Sequence, residues 1–169
     1  MTLTGDIIRL SELDEGKEMP REPVDLLSLA KEAVENLQSQ ASKRNVTLSV
    51  DGVSAAVNGV RGLLYEIVCN LCDNAVKYNV EGGSVSMRTG TDGGFACVAV
   101  RDTGIGIAPE HQGRVFERFY RVDKSHSKAS GGTGLGLSIV KHAVQYHHGR
   151  IELDSAPGRG TEIRIYSPL

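Results

Sequence analysis

The pattern that decides the fold lies in the segment Gly62-Leu63-Leu64-Tyr65-Glu66-Ile67-Val68-Cys69-Asn70-Leu71-Cys72-Asp73-Asn74-Ala75-Val76-Lys77-Tyr78. On a wheel that turns about 100° per residue, they separate into two adjoining helix faces. The aliphatic face carries Leu64, Ile67, Val68, Leu71 and Ala75. The polar face carries Glu66, Asn70, Asp73, Asn74 and Lys77. The pattern predicts a helix over 62–78 that packs on a sheet and presents a row of polar groups along its neighbouring face.

The polar face of this helix has the chemistry of a metal and phosphate site. Asn70 and Asn74 lie one helical turn apart, although Asn is a poor helix former. Amide and carboxylate oxygens are hard ligands that suit Mg²⁺, and Lys77 could neutralise phosphate oxygens. An ordinary solvated face is the alternative, and the helix taken alone favours that simpler interpretation.

Helical and alternating patterns on either side of this helix predict an α+β fold. Two further amphipathic helices are predicted at 24–44 and 135–148, and strands at 46–50, 55–57, 84–89, 95–101, 150–154 and 161–166. Asp92-Gly93 between two alternating runs is a strong hairpin signal. Hairpin-linked central strands among helices favour a two-layer α/β sandwich, with one mixed sheet covered by helices on one face.

The beginning of the chain has a different organisation from the rest. Residues 1–17 resemble the end of a helix, with Ile7, Leu10 and Leu13 on one stripe and Gly16 as its stop. Residues 18–23 contain two prolines in four positions and are expected to form a linker. The main domain is therefore expected to span 24–169.

Composition excludes several classes of function. The chain has 169 residues and a net charge of −2, so no basic field favours nucleic acid or an anionic membrane. No apolar run approaches the roughly 18 residues needed to span a bilayer. Cys69 and Cys72 form a C-x-x-C inside the helical pattern without a second pair at zinc spacing, which favours small buried thiols over a redox or metal site.

Two glycine-containing loops follow predicted strands or precede helices. Asp102-Thr103-Gly104-Ile105-Gly106-Ile107 follows a strand; its glycines would let backbone approach a flat ligand, and Asp102 could accept from an exocyclic amine. The run 131–137, Gly-Gly-Thr-Gly-Leu-Gly-Leu, leads into a helix, where free backbone N–H groups could seat phosphate. Neither loop is a Walker A or a G-x-G-x-x-G motif, and a plain turn remains the alternative for each.

The segment between these loops is aromatic and then polar. Residues 102–133 form a stretch too long for an ordinary connection, with a short helical piece expected near 112–119. Phe116 and Phe119 could anchor the base of a loop, leaving Arg118 and Arg121 free to reach a phosphoryl group. A short amphipathic helix followed by a floppy loop is the alternative.

Four segments together resemble the catalytic ATP-binding domain of bacterial sensor histidine kinases. Glu66-x-x-x-Asn70-x-x-x-Asn74-Ala75-x-Lys77-Tyr78 is similar to the family's N box and Asp102-x-Gly104-x-Gly106 to its G1 box. Phe116-Glu117-Arg118-Phe119 is similar to the F box, and Gly132-Thr133-Gly134-Leu135-Gly136-Leu137 to the G2 box. The boxes occur in the family's order and spacing. The resemblance implies the GHKL (Bergerat) ATPase fold, a five-stranded mixed sheet with three main helices on one face.

The resemblance also implies a role for each box. Asn70 would hold Mg²⁺ on the ATP phosphates with help from Glu66 and Asn74, and Lys77 would contact phosphate oxygens. Asp102 would bind the adenine amine, and Arg118 would reach the γ-phosphate. The remaining nucleotide-binding residues implied are Tyr78, Gly104, Gly106, Ile107, Tyr120, Gly132, Thr133, Gly134, Leu135, Gly136 and Leu137. Where the family usually has an acid before the N box helix, this chain has Val60, and Asn58 is the alternative helix cap.

None of the five histidines has the sequence context of the family's phosphoacceptor. We therefore expect residues 1–17 to be the end of a dimerisation and phosphoacceptor helix, and the chain to be a catalytic fragment of a longer kinase. The expected partners are the dimerisation and histidine phosphotransfer domain of the same kinase and the receiver domain of a response regulator. The fragment itself is expected to be cytoplasmic, monomeric or weakly associating, without nucleic-acid or membrane contact, while the parent kinase would be membrane-anchored.

Two alternatives belong to other classes of protein. One is a nucleotide-binding switch that acts through partner binding, such as an anti-sigma serine kinase or a degenerate kinase; the F box disfavours the first and the intact Asn70, Asp102 and Gly134 disfavour the second. The other is a gyrase- or chaperone-like ATPase, which would need a transducer domain after Leu169.

Overall fold

Five strands form one mixed sheet, and a short two-stranded sheet lies beside it. The structure, a computed structural model, describes residues 3–122 and 134–169. In chain order its elements are α1 (Leu3–Asp14), β1 (Glu22–Asp25), α2 (Leu26–Lys43), β2 (Thr47–Gly52), β3 (Ala56–Gly59), α3 (Arg61–Lys77), β4 (Ser84–Asp92), β5 (Phe95–Asp102), α4 (Pro109–Gln112), α5 (Gly136–Tyr146), β6 (Arg150–Ser155) and β7 (Thr161–Pro168).

The main sheet has the strand order β2-β4-β5-β7-β6. β2 and β4 are parallel, and the connection between them contains α3. All other neighbours are antiparallel, and the predicted hairpin joins β4 to β5 with Asp92 opposite Phe95. Gly93 and Gly94 form that turn at φ of 54° and 86°, which is why glycine is required there. The predicted mixed sheet is confirmed.

The core lies between the sheet and α2, α3 and α5, which cover one face. Alternate residues of β4 and β5 point into it, and the helices contribute aliphatic stripes. On α3 the buried set includes the whole predicted aliphatic face: Leu64, Ile67, Val68, Leu71 and Ala75. The three-helix, one-face architecture is therefore confirmed. None of the helices in the described residues is long and apolar enough to cross a membrane.

The first helix of the domain starts later than the predicted residue 24. Val24 belongs to β1, which pairs antiparallel with β3, so the expected linker ends in a strand. Asp25 is the N-cap of α2: its Oδ1 accepts from the N–H of Leu27 and also from that of Ala55. One aspartate thus ends β1, begins α2 and fixes both against the chain before β3.

The expectation that Asn58 caps α3 is wrong. Val60 is the N-cap residue, and its side chain makes no capping hydrogen bond. The N–H of Val60 instead donates to Nε2 of His147, which is buried at the end of α5. Nδ1 of His147 lies 2.8 Å from the carbonyl oxygen of Ala143, so the ring joins α5 to the beginning of α3.

The helical piece expected near 112–119 is misplaced. The helix is α4, which begins with Pro109 at its first turn and ends at Gln112 before Gly113. Residues 113–119 form turns, and Phe119 has a positive φ of 61°, which a helix does not allow.

The N-terminal helix packs on the beginning of α5. Leu10 is buried against Leu135 and Ile139 in a small cluster apart from the main core. Ile7, expected on the same buried stripe, is half exposed. Gly16 follows α1 at a φ of 64°, in agreement with its predicted role as a helix stop.

Candidate functional site

A cleft of about 1090 Å³ opens between α3, the end of β5 and the beginning of α5. This volume is slightly above the usual range of about 300–1,000 Å³ for small-molecule sites. Twelve of the residues predicted from the sequence line it: Glu66, Asn70, Asn74, Lys77, Tyr78, Asp102, Gly106, Ile107, Tyr120, Gly134, Gly136 and Leu137. The cleft therefore brings three of the four boxes to one surface, together with Tyr120 beside the F box.

The polar face of α3 forms one wall of the cleft. Glu66 is the most enclosed of its acids, with 13% of its side chain exposed. Burial raises the pKa of Glu66, and Arg9 of α1 opposes that rise, with its Nε 3.0 Å from Glu66 Oε2. The buried amide nitrogen of Asn70 has no hydrogen-bond partner among the described residues. An orphaned polar atom in a cleft wall is a group that a ligand can satisfy.

Lys77, at the end of α3, is held by α2. Its Nζ lies 2.8 Å from Asp73 Oδ2, and Gln40 donates to the other carboxylate oxygen. Arg44 donates to the carbonyl oxygen of Lys77. Gln40 and Arg44 also line the cleft, although their sequence context, a solvated helix face, carried no signal of it.

Asp102 lies at the opposite wall, where β5 ends. Its Oδ1 accepts from the N–H groups of Gly104 at 2.8 Å and Thr161 at 3.2 Å. No group of the described residues donates to Oδ2, which leaves one carboxylate oxygen for a ligand. Burial raises the pKa of Asp102, and the two backbone donors oppose the rise. Thr161 was missed from the sequence because only the sheet places β7 beside β5.

The glycines after Asp102 are required by the protein's own packing. A Cβ on Gly104 would lie 2.3 Å from the carbonyl oxygen of Tyr78, and one on Gly106 1.9 Å from that of Ala156. Gly106 also has a positive φ of 73°. Gly104 is buried and does not line the cleft, so close approach to a ligand is not the reason for this glycine.

The G2 box starts α5 and contacts the F box. The N–H of Phe119 donates to the carbonyl oxygen of Gly134, and a Cβ on Gly134 would lie 3.0 Å from Phe119 Cα. Gly136 lies beside Asn70, since a Cβ on it would be in contact with Asn70 Oδ1 at 3.5 Å. Leu135 is fully buried in the cluster with α1 and does not line the cleft. Gly132 and Thr133 lie outside the described residues.

Arg118 is not free, contrary to the sequence-based expectation. Its guanidinium donates to both carboxylate oxygens of Asp14 at 2.7 Å, and His142 Nε2 lies 3.8 Å from the same carboxylate. The bond to Arg118 holds the pKa of Asp14 below its usual range. Arg121, three residues later, lines the cleft where Arg118 does not.

Two tyrosines border the cleft. Tyr120 is fixed by a hydrogen bond between its hydroxyl and His111 Nδ1 and by the guanidinium of Arg114, 4.5 Å from its ring centroid. Tyr78 is exposed at the end of α3.

Cys69 and Cys72 are free thiols, and burial raises the pKa of Cys72 to about 12, so its thiolate is absent at neutral pH.

The donor set fits a nucleotide with Mg²⁺. Asn70, Asn74 and Glu66, which carry amide and carboxylate oxygens, line one wall, and the buried amide nitrogen of Asn70 has no partner among the described residues. A lysine lies at the end of that row, and an oxygen acceptor lies opposite at Asp102. Hard oxygen donors beside a lysine suit a magnesium–phosphate group, and a backbone-anchored carboxylate suits an exocyclic amine.

Comparisons with known proteins agree with this geometry. Residues 59–169 match the family model described as "Histidine kinase-, DNA gyrase B-, and HSP90-like ATPase". The sensor-like histidine kinase SenX3 of Mycolicibacterium smegmatis is 42% identical over 168 residues, which are 98% of this chain and 44% of the relative. The phosphate regulon sensor protein PhoR of Pseudomonas aeruginosa is 39% identical over 94% of this chain and 36% of its own length.

The chain is also similar to solved structures of histidine kinases. The mycobacterial sensor histidine kinase MprB matches with a TM-score of 0.76 and 34% identity, over 88% of this chain and 97% of that one. Full-length ShkA in complex with AMPPNP matches with a TM-score of 0.86 and 28% identity, over 98% of this chain and 35% of that one.

The chain spans less than half the length of the curated relatives SenX3 and PhoR. The matched family model, by contrast, covers most of the chain, from β3 to the last residue. The chain belongs to the histidine kinase-, DNA gyrase B- and HSP90-like ATPase family.

Proposed function

We propose that this chain is the catalytic ATP-binding domain of a sensor histidine kinase and transfers the γ-phosphoryl group of ATP to a histidine on a separate dimerisation domain. The observation that carries the proposal is the pairing of two walls in one cleft. One wall has the anchored carboxylate of Asp102, whose Oδ2 accepts no bond from the described residues, and the other has the amide and lysine row of α3. The similarity to SenX3 and PhoR, both named as sensor proteins, supports the kinase assignment.

The residues divide the work between binding and charge neutralisation. Asp102 accepts from the adenine amine through Oδ2, while the aromatic ring of Tyr78 lies against the nucleotide. Lys77 contacts phosphate oxygens, for which it leaves Asp73. Asn70 is the residue that would hold Mg²⁺, assisted by Glu66 and Asn74, and when bound the ion neutralises charge on the phosphates. Phosphoryl transfer needs positioning and electrostatic stabilisation more than covalent chemistry from the protein.

Arg118 has a conditional role in this proposal. In the transfer, a nitrogen–phosphorus bond forms at the acceptor imidazole and the phosphorus–oxygen bond to ADP breaks. Arg118 would stabilise charge on the transferred group, but it is bound to Asp14 in this arrangement. It must leave that carboxylate to act, whereas Arg121 already lines the cleft.

The test uses the chain with Mg-ATP and a separately prepared dimerisation helical hairpin carrying the phosphoacceptor histidine. Phosphate that is labile to acid and stable to base should appear on the hairpin, and Asp102→Asn should reduce it by weakening ATP binding. ATP binding without transfer to a docked hairpin would contradict the proposal and favour a nucleotide-dependent switch. Acid-stable phosphate on a protein partner would indicate a serine kinase instead.

The remaining parts of the proposal concern the whole protein. The parent kinase would pass the phosphoryl group to the receiver domain of a response regulator, as expected for a two-component system. The catalytic domain would work in the cytoplasm beside a membrane-anchored sensor. Its dimerisation domain would be the first partner, because α1 already contacts two residues of the proposed site, Glu66 and Arg118.

A further inference from the structure

The turn between β6 and β7, residues 156–160, packs beneath the loop that follows Asp102. The N–H of Gly158 donates to the carbonyl oxygen of Ile105 at 2.9 Å. A Cβ on Gly106 would lie 1.9 Å from the carbonyl oxygen of Ala156, and one on Gly160 2.0 Å from that of Asp102. The two segments are thus in backbone contact along their length. We call residues 102–107 the base loop and residues 156–160 the supporting turn.

One hydroxyl group joins the two segments. Ser155 Oγ accepts from the N–H of Ile107 at 2.8 Å and donates to the carbonyl oxygen of Gly160 at 3.0 Å. Its remaining lone pair faces Thr161 Oγ1 at 2.8 Å, so the threonine hydroxyl must be the donor. A serine hydroxyl has one donor and two acceptor sites, and all three are used here.

A second side chain fixes the same junction from α4. Gln112 Nε2 donates to the carbonyl oxygen of Ile107 and to that of Ser155, each at 2.9 Å. Both partners are carbonyl oxygens, which settles the orientation of the amide. Gln112 and Ser155 therefore hold Ile107 by its carbonyl and its N–H respectively.

The effect of this junction reaches Asp102. Ser155 holds the carbonyl of Gly160 and the side chain of Thr161. The N–H of Thr161 in turn donates to Asp102 Oδ1, and together with the N–H of Gly104 it fixes the carboxylate and so the direction of Oδ2. Neither Ser155 nor Gln112 lines the cleft, so any effect they have on a ligand must pass through the base loop or through Thr161.

We propose that Ser155 and Gln112 are positioning residues for nucleobase recognition, because they lock the base loop to the supporting turn and orient the Asp102 carboxylate toward the exocyclic amine. This inference rests on the proposed role of Asp102 in binding adenine. It assigns a function to the Ser-Ala-Pro-Gly-Arg-Gly segment at 155–160, whose residues do not themselves line the cleft.

The experiment compares two ligands that differ only in the amine. Dissociation constants for Mg-ATP and for the Mg complex of purine riboside triphosphate, which lacks the 6-amino group, are measured by calorimetry. The wild-type protein should prefer ATP. Ser155→Ala should reduce that preference about tenfold, and Ser155→Thr, which keeps the hydroxyl, should retain most of it.

Gln112→Glu gives an independent test that leaves the Ser155 hydroxyl in place. The carboxylate has almost the same shape but no donors, so it faces two carbonyl oxygens without a bond, and the preference for ATP should fall. Ser86→Ala, on the exposed face of β4, is the matched control and should keep the wild-type preference. A thermal melt of each variant shows whether it folds.

Asp102→Asn separates the two ways in which the idea can fail. If Asp102→Asn abolishes the preference while Ser155→Ala and Gln112→Glu keep it, the positioning role is wrong and the proposed role of Asp102 stands. If Asp102→Asn also keeps the preference, Asp102 does not recognise the amine, and the positioning role falls with it.

Discussion

At the scale of single residues, Asp102 combines a recognition role with a cost to stability. Two backbone donors share Oδ1, yet burial raises its pKa above the ordinary value of 3.8. A carboxyl with a raised folded-state pKa stabilises the fold below its unfolded pKa and loses that contribution as pH rises through the folded pKa. At neutral pH the ionised carboxylate therefore lowers the stability of the fold, and its role is in ligand binding.

Asp102→Asn should separate these two properties. The amide oxygen can still accept from Gly104 and Thr161, so we expect the melting temperature at neutral pH to rise by about 2–4 °C, as for ~1 kcal/mol in a domain of this size. ATP affinity should fall at the same time, because the amide cannot match the carboxylate as an acceptor. Differential scanning calorimetry and ATP titration check the pair of effects. A lower melting temperature would contradict the account of buried charge.

At the scale of elements, the ion pair between Arg9 and Glu66 joins α1 to α3. Burial raises the pKa of Glu66, and the Arg9 guanidinium opposes it. Arg9→Ala should therefore raise the pKa of Glu66 further, as followed by the pH dependence of its side-chain carboxyl ¹³C shift. Lys17→Ala, which removes an exposed cation near the end of α1, should leave the Glu66 titration unchanged. An unchanged titration in Arg9→Ala would show that the pair does not persist in solution.

The contact between the F box turn and α5 depends on one glycine. Gly134 has a φ of 78°, and its Cβ position lies 3.0 Å from Phe119 Cα. We expect Gly134→Ala to lower the free energy of unfolding by about 1–2 kcal/mol, because alanine strains the left-handed conformation and crowds Phe119. Gly62→Ala, in the first turn of α3 with open space around it, is the control and should be neutral or stabilising in urea unfolding.

At the scale of the whole molecule, His147 joins parts that are distant in the chain. Its two nitrogens bond Ala143 and Val60, so the ring is neutral, and burial lowers its pKa below 6.5. A group with a lowered pKa contributes stability above its unfolded pKa and loses it as pH falls through the folded pKa. Protonation would set a cation against the N–H of Val60 and loosen α3 from α5.

Because His147 becomes protonated, we expect the free energy of unfolding to fall as the pH is lowered from about 7 to about 5. In His147→Gln this loss should be smaller than in the wild type, since Gln does not titrate. The exposed His148 provides the control; because its charge also lowers the pKa of His147, His148→Gln should show most of the wild-type loss. Urea unfolding at both pH values measures the difference. Equal losses in all three proteins would assign the pH dependence to other groups.

Local sequence patterns predicted most of the helices and strands. The features that were missed depend mainly on pairing between residues that are distant in the sequence. The faces of α3 and the β4–β5 hairpin follow from side-chain period and turn chemistry. The strand β1 was missed because its partner β3 is 30 or more residues away and Pro23 suggested a linker. At the site, Asp102 and Asn70 were found from local motifs. Thr161 and Ser155 were not, because only the folded sheet brings them to Asp102 and Ile107. Gln112 is only five residues from Ile107, but no local pattern marked its side chain.

The packing of Gly104 and Gly106 against Tyr78 and Ala156 has a consequence for diagnosing distant relatives. Both glycines would be demanded by the backbone even in a descendant that no longer handled nucleotide, since any larger residue collides with neighbouring carbonyls. Their survival in a genome sequence marks an intact scaffold. Asp102 and Asn70 are not required by the scaffold, so their presence or absence should distinguish active enzymes from pseudoenzymes.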